Sequence, residues 1–183
     1  DENENAGACD LPAERDTLTG IQTRGTNAGF EGWYLRIQKP GSEESVAVIL
    51  AFWRREDGAQ VEGFVELVDS QNRQAYRMTS PRVGFSAPGE PLKVKVGDTV
   101  LTENSLTGRF ESQNGTSINI DLDFDGCRHW GDPDNPSDRS TMGLPGRLPL
   151  IPLKWHVTHL DGAVRGQLEI GSRRTRYENA SVH

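Results

Sequence analysis

The sequence predicts an all-β, mostly antiparallel protein, a sandwich or barrel of roughly ten strands. Three observations carry that prediction. Apolar residues recur with period two in most segments from Phe30 onward. Turn residues interrupt these segments about every eight to twelve positions. No stretch keeps a helical period over three turns.

Residues 1 to 20 (DENENAGACDLPAERDTLTG) are acidic and aperiodic. They read as a flexible tail ahead of a domain spanning 21–183. In GFEGWYLRIQ, Glu31, Trp33, Leu35 and Ile37 share one face of a strand, and Phe30, Gly32, Tyr34, Arg36 and Gln38 the other. SVAVILAFW (45–53) is apolar on both faces, as in a strand covered from two sides. VEGFVELVD (61–69) alternates Val61, Val65 and Leu67 against Glu62, Phe64 and Glu66. LKVKV (92–96) buries Leu92, Val94 and Val96, and TSINIDLDF (116–124) buries Ile118, Ile120, Leu122 and Phe124. LKWHVTHL (153–160) and AVRGQLEI (163–170) read as strands joined by the hairpin-turn dipeptide Asp161-Gly162. One region breaks the rhythm. Residues 126–152 (GCRHWGDPDNPSDRSTMGLPGRLPLIP) form a long Gly- and Pro-rich loop, too apolar for a solvated linker and suited to a flap over a barrel mouth.

Composition narrows the function classes. A chain of 183 residues makes one well-filled domain. Its net charge of -7 argues against nucleic acid as a partner. The densest basic cluster, Arg173, Arg174 and Arg176, reads as a solvated strand edge. No apolar run reaches the length of a transmembrane segment, which leaves room for peripheral contact with a membrane to collect ligand. A first residue of Asp rather than Met reads as a chain processed or excised from something longer. The two cysteines, Cys9 and Cys127, lack metal-ligand spacing. They form one disulfide if the compartment is oxidising, and the sequence assigns no compartment.

No nucleophile elbow, CxxC, Walker loop or dinucleotide fingerprint is present, and nothing calls for a cofactor. HVTH (156–159) invites a metal reading, but positions i and i+3 of a strand face opposite ways, so His156 and His159 do not share an ion and no metal site is expected. His159 joins the face of Trp155 and Val157. Glu31 stands out because it lies on the apolar face beside Trp33. Two outcomes are open: pairing with an Arg or with backbone, or burial that raises its pKa and keeps it protonated as an acid. Trp33, Tyr34, Trp53 and Trp155 form an aromatic set that serves either as core or as a cage for ligand.

The run FEGWYLRI resembles the opening of the tocopherol cyclase family and its lipocalin-like relatives. The similarity continues in order through VAVILAFW, GFVELVD, LKVKVGDTVLTENSLTGRF, and MG followed by PLIPLKWHVTHLDGAVRGQLEI, from about residue 28 to 183. The resemblance implies a lipocalin-like β-barrel and intramolecular cyclisation of a prenylated quinol, or another isoprenoid, to a chromanol. Such an isomerase needs a dry apolar cavity, a neutral acid and aromatic faces against a carbocation. It carries Glu31, Gly32, Trp33, Tyr34 and His156 over as family positions. We infer Glu31 or His156 as the acid, with Trp33, Tyr34, Trp53, Trp155 and His159 contacting the ligand. The alternative on the same barrel is a non-catalytic carrier of a hydrophobic small molecule. The family continues beyond the counterpart of YENASVH into a second β-rich half. The expectation is therefore either the first half of a two-barrel protein or a short relative with one barrel.

Overall fold

A computed structural model describes residues 29–54, 61–86, 91–129 and 159–183. These form β1 (Gly29–Gln38), β2 (Ser45–Arg54), β3 (Val61–Asp69), β4 (Gln74–Ser80), β5 (Val83–Phe85) and β6 (Lys93–Val96). They continue with β7 (Thr99–Thr102), β8 (Ser105–Glu111), β9 (Ser117–His129), β10 (His159–Ile170) and β11 (Arg173–Val182). All lie in one sheet of order β4-β3-β2-β1-β11-β10-β9-β8-β7-β6-β5, and every pairing is antiparallel. The sheet curls into a nearly closed barrel, consistent with the lipocalin-like expectation. No helix occurs among the described residues, hence none long and apolar enough to cross a membrane. The acidic tail 1–20 and most of the Gly/Pro-rich loop lie outside the described residues.

Closure brings β3 and β4 against β5, β6 and the β8–β9 turn. The backbone N–H of Gln113 donates to the Arg77 carbonyl at 2.8 Å. A Cβ on Gly63 would stand 2.8 Å from Val83 Cγ2 and 3.0 Å from Val96 Cγ1, so glycine sets how closely the two walls approach. Period-two alternation then fills the interior. Val48, Leu50, Phe52, Val65, Leu67, Val94, Leu106, Ile118 and Leu168 bury completely or nearly so.

The lower end, where β1, β3 and β10 finish, is sealed by polar contacts. Asp69, almost fully buried, is ion-paired with Arg173. It also accepts from the Gln71 N–H at 3.1 Å and the Asn72 amide at 3.0 Å. The Gln71 amide reaches Glu44 at 2.9 Å, and Lys39 lies 3.4 Å from Glu44. Arg173 is thus a latch between turns rather than part of a solvated edge, because β11 begins with this side chain turned toward the buried carboxylate.

The Asp161-Gly162 hairpin is also corrected. β10 runs unbroken from His159 to Ile170, with register irregularities at 159–163. Gly162 does not take a positive φ. A Cβ there would stand 2.8 Å from Cys127 Sγ and 3.1 Å from Val182 Cγ1. The glycine permits close packing of β10, β9 and β11 instead of turning the chain.

Candidate functional site

The β1–β2 ladder sets the site. Glu31 lies opposite Phe52, and Trp33 opposite Leu50, so both expected residues face the interior. The Trp33 and Phe52 rings are tilted with centroids 6.1 Å apart, and Phe52 stacks on Phe85 at 5.3 Å. A row of three rings therefore crosses the upper end of the barrel from β1 through β2 to β5, with Glu31 opposite Phe52 in the ladder. Phe52 and Phe85 were not singled out from sequence. Phe52 sits in a strand apolar on both faces, and Phe85 reaches it only through barrel closure, a long-range contact with no local signature.

Burial locates the open part of this end. A side chain with no accessible surface borders no void the size of water. Leu50, Phe52, Val65 and Val48 are all at 0%, so the barrel floor below Trp33 is filled. In contrast, Glu31, Trp33 and Leu35 face inward but are only half-buried. β1 pairs with β11 at Ile37↔Val182 and Gln38↔Ser181, and Arg36 exchanges two 2.9 Å hydrogen bonds with His183. Glu31, Trp33 and Leu35 form an inward-facing strip of β1 beside Phe52. Cys127, disulfide-bonded and half-buried, packs near the core at the same end.

Tyr34 and Trp53 face outward. Tyr34 is 61% exposed. Trp53 lies opposite Phe30 and tilts against Phe64 at 5.9 Å, and the Arg77 guanidinium stands 4.0 Å over the Phe64 ring. His159 enters as the first residue of β10, opposite His129. His156 and Trp155 lie outside the described residues.

A separate open depression of about 740 Å³ lies outside β5–β7. It is lined by Phe85, Leu92, Lys93, Lys95, Glu103 and Asn104 among others. It shares only Phe85 with the aromatic row. Its lining mixes Phe85, Pro91 and Leu92 with two lysines, and Glu103 there accepts from the Leu92 N–H at 3.2 Å. Among the described residues, no three His, Cys, Asp or Glu side chains are grouped to hold a metal ion. Comparisons with protein-family models, curated proteins and solved structures find no match for the chain.

Proposed function

We propose that the chain binds a prenylated quinol or another isoprenoid along the Glu31–Trp33–Leu35 strip and cyclises it, in the manner of the tocopherol cyclase family it resembles. One observation carries this reading: Glu31 and Trp33 stand on the inner face of β1, opposite Phe52 and Leu50, and both are only half-buried. Glu31 would deliver a proton to the less substituted alkene carbon of the prenyl chain. The tertiary cation so formed would be held against Trp33 and captured by the phenolic oxygen, whose proton returns to solvent or to Glu31. One C–O bond forms, the alkene is consumed, and substrate and product are isomers.

Product therefore has to be read by chromatography and by loss of oxidation to the quinone, since mass does not change. The wild-type chain is expected to form chromanol, and Glu31→Gln to bind the quinol with unchanged affinity while losing turnover by about a hundredfold or more. Equal turnover in both would remove Glu31 from the reaction.

The filled floor favours a second reading, a carrier without turnover. An isoprenoid tail has no room below Trp33 and would lie along the strip rather than be engulfed. Saturable binding with no chromanol from either protein would select it.

A further inference from the structure

We propose that the depression outside β5–β7 binds an organic anion with an apolar tail. Lys93 and Lys95 hold its acid group, and Phe85, Pro91 and Leu92 receive the tail. The alternation of LKVKV prepares this arrangement. Val94 and Val96 are fully buried, and Lys93 and Lys95 alternate with them as exposed residues of the opposite face. Two residues apart on one strand face, their Cα atoms stand about 7 Å from each other, so one acid group can lie between the two ammonium groups. Both lysines line the depression.

The neighbours of the lysines leave their charge unmatched. In register, Lys95 lies between Gly84 of β5 and Val100 of β7, and Lys93 lies opposite Thr102 of β7. On the β5 side, the Lys93 N–H donates to Ser86 Oγ at 3.2 Å, and the Ser86 N–H to the Lys93 carbonyl at 2.9 Å. No carboxylate stands beside either lysine in the ladder. Other cations of the barrel are matched across neighbouring strands: Arg77 with Glu66, Arg165 with Asp125, and Arg174 with Glu169. Among the described residues, Lys93 and Lys95 have no ion-pair partner. Glu103, the one carboxylate among the described lining residues, is engaged with the Leu92 N–H. Asp98, close by in sequence, is paired with Arg82.

The rest of the wall is apolar or bare. Phe85 stacks on Phe52, yet it stays 40% exposed where it lines the depression. At Gly84 a Cβ would meet only Lys95 Cβ, at 3.8 Å, so the glycine leaves open space beside that lysine. A volume of about 740 Å³ suits a small organic molecule. The net charge of -7 repels anions at a distance, so recognition rests on short-range contact with the two ammonium groups and on the apolar wall. The reading is independent of the strip along β1.

Titration of the whole chain with octyl phosphate, octanoate, octanol and inorganic phosphate, followed by amide chemical shifts in nuclear magnetic resonance, tests this. Saturable shifts centred on Gly84, Lys93, Lys95 and Thr102 are expected with octyl phosphate or octanoate, and the tighter of the two names the acid group. Octanol lacks the charge and inorganic phosphate the tail, and each should bind about tenfold more weakly or worse. Lys93→Gln with Lys95→Gln changes only exposed positions and should weaken binding of the anion by about tenfold, with circular dichroism and melting unchanged. If that variant misfolds, Gly84→Val fills the open space with a residue suited to a strand and should weaken binding in the same sense. Octanol binding as tightly as the anions overturns the proposal. So does the absence of saturable binding by either anion, or an affinity that neither variant lowers. Shifts centred on Trp33 and Leu35 instead also overturn it, because the anion would then occupy the strip.

Discussion

Arg173 and Asp69 differ in what each leaves behind when its partner is removed. The Asp69 side chain is 2% exposed and that of Arg173 is 31% exposed. Arg173→Met strands a buried carboxylate and is expected to cost about 3 kcal/mol or more. Asp69→Asn leaves a guanidinium that can rehydrate, and should cost about 1–2 kcal/mol. Urea denaturation of both variants checks the order. Above this latch, burial pushes the Tyr177 phenol up to about 12 from an ordinary 10.0, with Asp69 and Glu44 adding to the rise and Arg173 opposing it. The folded protein holds this proton more tightly than the unfolded chain does. The stabilisation is therefore fully present below pH 10 and is lost as pH rises toward 12, at about 1.4 kcal/mol per pH unit. Tyr177→Phe should flatten that part of the stability profile relative to the wild type. Thr99 supplies the opposite case. It is fully buried, and its hydroxyl lacks a hydrogen-bond partner, so Thr99→Val should raise stability by about 1 kcal/mol.

Among the elements, β10 shows where local pattern and tertiary packing part company. At Gly166 the backbone takes φ +126, and a Cβ would stand 2.1 Å from the Asp121 carbonyl oxygen. The register with β11 shifts beside it, between Val164 and Gly166. Gly166→Ala should therefore cost about 3 kcal/mol or more and slow pairing of β9 with β10, measurable as a drop in melting temperature. The inner faces of β1, β3, β6 and β9 were legible in the sequence, because a half-buried strand writes its burial into every second residue. Glu31 and Trp33 were placed on the inner face on the same grounds. The Asp161-Gly162 turn was misread because the dipeptide has the same composition whether it turns a chain or makes room for Cys127. The strand β5 holds three residues, too few for alternation to register. The half-burial of Glu31 and Trp33 had no local signal either, because it depends on which distant parts of the chain pack beside β1.

At the scale of the molecule, a filled barrel floor and a polar latch lie below a half-covered aromatic wall, where the proposed ligand site stands. Cys127 belongs to the upper end and is disulfide-bonded, and Cys9 is the only other cysteine in the sequence. The unreduced, denatured chain should accordingly titrate no free thiol. Cys127→Ser should cost about 2–4 kcal/mol, because a long chain loop is released in the unfolded state. The proposed ligand site is the strip along β1. Titration of tryptophan fluorescence with a prenylated quinol, in the wild type and in Trp33→Phe, tests that most directly. Saturable quenching is expected in the wild type, and in the variant loss of most of that quenching with affinity about tenfold weaker. Quenching and affinity unchanged in Trp33→Phe would contradict it.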